Sequence, residues 1–254
     1  MVVLGRSGGA NTAPMPTDPA QVCAALGPLL LDERRARIDA AAQSRLHGLR
    51  VVIENLHDPH NGAAVLRSAE AFGVQRVDVI DGSKPFRFSP TVTQGCEKWL
   101  DVVRHRTLGA ALASLRADGF LIYAAVPDAK AVLEELDFGR PAAVMVGNEH
   151  AGLSAAAIAA ADARFAIPMH GMTRSLNLSV AAALTVERAA SLRRRALGRP
   201  GDLDDAGVLA LRARFYAASV RGAEAVLARS LAGEVVGALD PAGTAVDPVD
   251  IDGG

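Results

Sequence analysis

The sequence predicts an α/β protein: a mostly parallel sheet flanked by helices, with helical extensions at both ends. Short β-branched or Ala/Val-rich runs alternate with segments of helical spacing, and half of the 254 residues are hydrophobic. Alternation of this kind marks βαβ units, whose strands pair in parallel and are covered on both faces. A chain of this length and composition buries a sizeable core.

Residues 1–28 are expected as a flexible lead-in, because the first 20 are rich in Gly, Pro, Ser, Thr and Asn and show no apolar period. Residues 29–50 read as a basic helix running into the strand 51–53 (Val-Val-Ile). A helix over 63–72 closes at Gly73, and a strand over 76–80 turns at Asp81-Gly82. Strand 101–104, helix Leu108–Ala117, strand 120–126 and strand Ala142–Val146 continue the pattern. A short helix over 154–161, a strand over 164–167, a Gly-containing loop and a long helix Leu178–Leu197 complete an α/β domain assigned to 51–198. Gly198-Arg199-Pro200-Gly201 breaks the chain; one or two further helices are expected within 199–234, and 235–254 reads as a disordered acidic tail.

Composition narrows the function classes. No apolar run approaches the roughly 20 residues of a membrane-spanning helix, and MVVLG is too short and too weakly charged for a signal peptide, so a cytoplasmic protein is expected. Cys23 and Cys96 are far apart and form no CxxC pair, which points to two reduced thiols and to no metal site. The formal charge is −1, but Glu234, Asp240, Asp247, Asp250 and Asp252 lie in the tail, and without these five acids the charge is +4. Arginines concentrate at Arg34, Arg35, Arg37, Arg45 and Arg50 and again at Arg188, Arg193, Arg194, Arg195 and Arg199. Each cluster suits phosphate contact or a solvated helix face.

Three loops at the ends of predicted strands, where open α/β sheets bind ligands, are polar and glycine-containing. His57-Asp58-Pro59-His60-Asn61-Gly62 leads into a helix carrying Arg67. Free amides at that helix start, with Arg67, would hold an anionic group, and Asn61 would orient it; equally, Asn61 is a plain N-cap and Arg67 is solvated. In Val146-Gly147-Asn148-Glu149-His150-Ala151-Gly152-Leu153-Ser154, backbone can approach a ligand, Glu149 either accepts from a ligand or satisfies turn amides, and Ser154 can cap the next helix. The third loop runs from Ile167 to Ala183 through Met169, Met172, Arg174, Ser175, Leu176 and Asn177; Ser175 and Asn177 are candidate caps, and the small residues that follow permit close helix packing. The absence of Gly-x-Gly-x-x-Gly and Walker sequences argues against a dinucleotide or P-loop site.

In this order and spacing, HDPHNGAAVLRSAEAFGV, VMVGNEHAGLS and IPMHGMTRSLNLSVAAAL resemble the three motifs of the TrmH-type RNA ribose methyltransferases of the SPOUT superfamily. GCEKW, the IPM-x-GM-x-x-SLN form of the third motif and the Arg-rich N-terminal helix are most similar to the enzymes acting on guanosine 18 of tRNA. The resemblance implies a C-terminal deep trefoil knot, a homodimer whose sites combine both subunits, and a 2′-O-methyltransferase using S-adenosylmethionine (AdoMet). It implies AdoMet contacts from Ala125, Gly147, Ile167, Met169 and Leu176, with Ala125 standing where relatives often carry Thr. It implies catalysis by Arg67 on the ribose 2′-hydroxyl, with Asn61 and Glu149 shaping the site and Ser175 and Asn177 helping to position Arg67 or substrate phosphate. RNA contacts fall to Arg34, Arg35, Arg37, Lys98, Arg174, Arg193 and Arg194, and no DNA partner or membrane is expected. Methylation of rRNA or of another tRNA ribose, and a non-catalytic knotted RNA-binding protein, are the alternatives.

Overall fold

The computed structural model describes residues 2–3, 18–81, 93 and 95–232. Its centre is a sheet of strands β1 (Val2–Val3), β2 (Leu46–Glu54), β3 (Val74–Ile80), β4 (Asp101–His105), β5 (Leu121–Ala125), β6 (Ala142–Val146) and β7 (Ala163–Phe165). They lie in the order β1-β4-β3-β2-β6-β5-β7; every pairing is parallel except the edge contact of β1 with β4. Residues of β6 are all buried, as its unbroken Ala-Ala-Val-Met-Val run requires of a strand covered on both faces.

The helices are α1 (Pro19–Leu26), α2 (Asp32–Gln43), α3 (Pro59–Ala71), α4 (Leu108–Ala117), α5 (Ala155–Ala160), α6 (Leu178–Leu197), α7 (Asp205–Ser219) and α8 (Ala223–Leu231). One face of the sheet buries Leu49, Val51, Ile53, Val77 and Val144 against Val65 and Leu66 of α3 and Ala182, Val186 and Ala189 of α6. The other buries Val52, Ile122 and Met145 against Ala111 and Leu115 of α4 and Ala157 of α5. Alternation along β2 therefore feeds two cores.

A third core joins the chain ends. Val22 and Leu26 of α1 and Ile38 and Ala42 of α2 pack with Leu211, Phe215 and Tyr216 of α7 and Val226 and Leu227 of α8. Tyr216 Oη donates to Asp39 Oδ1 at 2.8 Å. Asp202 clamps this unit to the sheet: its carboxylate accepts from the amides of His47 (2.5 Å) and Gly48 (2.8 Å) and from Nε and Nη2 of Arg193 (3.2 and 3.1 Å). A Cβ on Gly48 would lie 2.3 Å from Arg193 Nη2, so glycine is needed for the close approach.

These observations correct three expectations. The lead-in expected over 1–28 contains α1, which starts at the Asp18 cap with Pro19 at N1, a short helix whose two buried apolar residues give no readable period. The basic helix expected over 29–50 stops at Gln43, because the chain turns there into β2; Arg45 immediately precedes the strand and Arg50 lies in it, ion-paired to Glu70 (2.7 Å) and Asp118 (2.8 Å) respectively. The strand expected over 164–167 ends at Phe165, which frees Ile167 for the following loop. The Asp81-Gly82 turn reaches beyond the described residues, and the acidic tail lies outside them.

Candidate active site

The sheet order places the site. From β2 the chain winds outward through β3 to β4, then crosses to the other side and returns through β5 to β6, which pairs with β2 in the register Ile53↔Val146. The loops after β2 and β6 therefore diverge from adjacent points, the position at which open parallel sheets bind ligands. A cleft of about 410 Å³ opens beside the loop after β6, at the C-terminal ends of β5, β6 and β7, lined by residues 125–127, 146–153, Ile167, Met169, Ser175, Leu176 and Leu178 among others. Its size is that of a small-molecule site. Ala125, Gly147, Ile167, Met169 and Leu176, expected to hold the cofactor, all line it, as do Glu149 and Ser175.

The loop after β6 is tied to itself. Asn148 Oδ1 accepts from the amides of His150 (2.9 Å) and Ala151 (2.7 Å), and Gly152 N donates to Asn148 O at 3.0 Å. Gly152 has φ +67°, and a Cβ on Gly147 would lie 1.9 Å from its carbonyl carbon. Gly147 thus lets the loop fold onto its own backbone. Asn148 does the turn-satisfying work that the sequence left open for Glu149, whose Oε2 is buried without a hydrogen-bond partner. A buried acceptor of this kind calls for a donor from water or a ligand.

The loop after β2 enters α3 through Asp58, whose carboxylate accepts from His60 N at 2.8 Å, with Pro59 at the first helical position. Asp58, not Asn61, is the cap, and Asn61 is buried in the first turn. Its Oδ1 accepts from Asn177 Nδ2 at 3.2 Å. Asn177 caps α6, accepting from Ser179 N (2.8 Å) and Ser179 Oγ (2.6 Å); Ser175 is not the cap and stands exposed at the cleft. Arg67 is exposed on α3 and makes no ion pair among the described residues. It lies near enough to Cys96 to act on its thiol, which burial, Glu97 and Glu70 push up to about 11 against the opposing guanidinium.

The residues expected to meet RNA divide into two groups. Arg37, Lys98 and Arg174 are exposed, Arg35 is half-buried and paired to Asp32 at 2.8 Å, and Arg34 and Lys98 lie 5.3 and 5.5 Å from the centre of the Trp99 ring. Arg193 and Arg194 belong to the fold instead. Arg193 is buried, donating to Phe138 O and Gly139 O (3.0 Å each) as well as Asp202. Arg194 is half-buried and donates to Pro200 O (2.8 Å), Ser44 O (3.1 Å) and Phe72 O (2.9 Å). The carbonyls they satisfy belong to the ends of α2 (Ser44) and α3 (Phe72) and to loops, and a charge run in sequence does not reveal such distant partners.

Fold and cleft define an α/β protein with a small-molecule site at the C-terminal edge of its parallel sheet. The model of the SpoU rRNA Methylase family matches residues 48–187, and the chain belongs to that family. It is 38% identical over 164 residues to the tRNA (guanosine(18)-2′-O)-methyltransferase of Escherichia coli, covering 64% of this chain and 72% of the relative. The enzyme of the same description from Thermus thermophilus is 36% identical over 166 residues, covering 65% and 86%. Among solved structures, the TrmH/SpoU tRNA modifying enzyme of A. aeolicus superposes with a TM-score of 0.66 at 27% identity, over 75% of this chain and 98% of that one. The SpoU methyltransferase AviRb from Streptomyces viridochromogenes, solved in complex with AdoMet, gives 0.53 at 27% identity over 60% and 62%.

Proposed function

We propose that this protein transfers the methyl group of AdoMet to the 2′-oxygen of guanosine 18 in the D-loop of tRNA. The observation that carries the reading is the convergence of the loops after β5, β6 and β7 on one cleft, with every residue expected to hold the cofactor on its wall. The residues fit AdoMet: the cleft offers apolar walls from Val126, Leu153, Ile158 and Phe165, much backbone, and the orphaned carboxylate oxygen of Glu149 as an acceptor for a donor group. When bound, AdoMet supplies an electrophilic sulfonium methyl.

The protein's task is then to hold a ribose hydroxyl in line with that methyl, and positioning of this kind contributes several kcal/mol. Arg67 presents free guanidinium donors and no acceptor, which makes it a poor base; it stabilises the alkoxide that develops on the 2′-oxygen. Asn61 and Asn177, bonded to each other, fix the first turn of α3 against the start of α6, and Ser175 at the cleft edge is placed to meet substrate. Arg34, Arg35, Arg37, Lys98 and Arg174 contact the RNA backbone.

The same reading includes a deep trefoil knot formed by the segment carrying β7 and α6, with the small residues of α6 allowing the close packing, and a homodimer. Val180 and Leu184, one helical turn apart on α6, and Met172 in the preceding loop are exposed apolar residues that a second copy would cover. Among the described residues no helix is long and apolar enough to cross a membrane, which is consistent with a cytoplasmic enzyme.

The test is incorporation of labelled methyl from AdoMet into total tRNA and into rRNA, with nuclease digestion and mass spectrometry of the product. Ribose-methylated guanosine in the tRNA D-loop, lost with Arg67→Ala, is the expected result. Product in rRNA alone overturns the substrate, and AdoMet binding without any methylation overturns the catalytic reading.

A further inference from the structure

Glu54, the last residue of β2, is 3% exposed and has no cationic partner among the described residues. Its two carboxylate oxygens are both spent on one residue 100 positions away: Oε2 accepts from Ser154 N and Oε1 from Ser154 Oγ, each at 2.7 Å. Ser154 Oγ in turn accepts from Ala157 N at 3.1 Å and so caps α5. A buried carboxylate is costly, and two short charge-assisted hydrogen bonds to a single residue fix that residue in both distance and orientation.

Ser154 is where the loop after β6 ends. The near part of that loop, residues 148–152, is closed on itself by Asn148 and continues from the end of β6. Glu54 supplies the second anchor. It follows Ile53, which pairs with Val146, so the carboxylate spans from the strand end beside the start of the loop to the loop's far end. Glu149 and Gly147 lie on the cleft wall between those two anchors. Glu54 itself is followed by Asn55, in the left-handed region at φ +53°, where the chain leaves the sheet toward α3. One side chain thus couples the loop that leads to Arg67 with the loop that carries Glu149.

We propose that Glu54 is a positioning residue for the methyl-donor cleft: through Ser154 it sets where residues 147–153 stand against the opposite wall, and so controls AdoMet binding without touching the donor or the RNA. The inference rests on the AdoMet-dependent reading of the cleft given above.

Calorimetric AdoMet binding, steady-state kinetics with tRNA and thermal unfolding are measured for the full chain and for Glu54→Gln, Ser154→Ala and Ser154→Thr. Gln keeps the shape of Glu54 but only one acceptor oxygen, and Thr keeps the hydroxyl of Ser154. The expected result is AdoMet affinity weaker by about tenfold in Glu54→Gln and by a smaller factor in Ser154→Ala, with affinity restored in Ser154→Thr. The KM for AdoMet rises in parallel while the KM for tRNA stays at the wild-type value. Wild-type AdoMet affinity in both Glu54→Gln and Ser154→Ala, with only the unfolding midpoint lowered, overturns the proposal, as does a rise confined to the KM for tRNA. If Glu54→Gln does not fold, the two Ser154 variants decide by the same binding measurement. Failure of the wild-type protein to bind AdoMet sinks the functional reading itself, a result distinct from equal binding by wild type and variants.

Discussion

Asn177 and Asn61 are joined side chain to side chain, Nδ2 to Oδ1 at 3.2 Å, across 116 positions of sequence. The bond locks the start of α6 to the first turn of α3, and Asn177 simultaneously caps α6 through Ser179. Asn177→Ala removes both functions and is expected to lower stability by about 1–2 kcal/mol, whereas Asn61→Ala loses one hydrogen bond, about 1 kcal/mol, and leaves the cap intact. Asn177→Asp keeps the cap but withdraws the donor. Its stability is expected to fall by about 1 kcal/mol, as in Asn61→Ala, and by less than in Asn177→Ala if the cap is worth what is assigned to it, while methyl transfer falls, which denaturant titration and labelled-methyl assays read separately.

Arg193 and Arg34 separate a structural arginine from one available to RNA. The Arg193–Asp202 pair is buried on both sides, with side-chain exposures of 6% and 5%. Asp202→Ala leaves the guanidinium without its carboxylate and is expected to cost about 3–5 kcal/mol. Arg34→Gln is expected to change stability by less than about 1 kcal/mol while reducing the salt dependence of tRNA binding by about one unit of slope. Filter binding across a salt series checks this, and an unchanged slope removes Arg34 from the interface.

Acid stability should carry the mark of Asp78. Burial alone would raise this carboxyl, but hydrogen bonds from His105 (2.7 Å) and Arg76 (2.8 and 3.1 Å) outweigh it and hold the group below its ordinary value. A depressed carboxylate stabilises the fold fully above the unfolded pKa of about 3.9 and loses that contribution as pH falls through the lower folded value. The stability gap between wild type and Asp78→Asn is therefore expected to be constant from pH 7 to about 5 and to narrow below about pH 4. A gap independent of pH would show that the charge is immaterial.

Cys96 reports on Arg67. With the thiol pushed up to about 11, chiefly by burial, little thiolate exists at pH 8, and alkylation is expected on the order of 100-fold slower than for a free cysteine. Arg67 is the group that opposes the shift, so Arg67→Ala should slow the reaction further. Mass spectrometry of iodoacetamide-treated protein checks both rates; faster labelling in the variant would place Arg67 away from Cys96.

Strand and helix alternation was legible because parallel strands buried on both faces are unbroken apolar runs, as in Ala142–Val146, and because Gly73 and Gly198 mark helix ends. The loop segments that line the cleft were legible for the same reason: they follow those strands. What escaped were relations between distant residues. Nothing near Arg193 in sequence announces Phe138 O or Asp202 as its partners, and the helical charge run around it reads equally well as a phosphate-binding face. Glu54 was hidden as a single acid closing a hydrophobic strand, its role decided by Ser154 on another loop. Gly147 was legible as a close-approach glycine, but the approaching backbone is that of Gly152.

The core formed by α1, α2, α7 and α8 imposes an order on biosynthesis. Tyr216 and Asp39 are 177 positions apart, so at roughly 5–20 residues per second the ribosome needs about 10–35 s to deliver the partner of the N-terminal helices. Throughout that interval Val22, Leu26 and Ile38 have emerged without the α7 and α8 side chains that bury them in the finished protein. The N-terminal segment is thus the stretch on which a nascent-chain chaperone would act, and emergence of α7 and α8 is the event that ends its exposure.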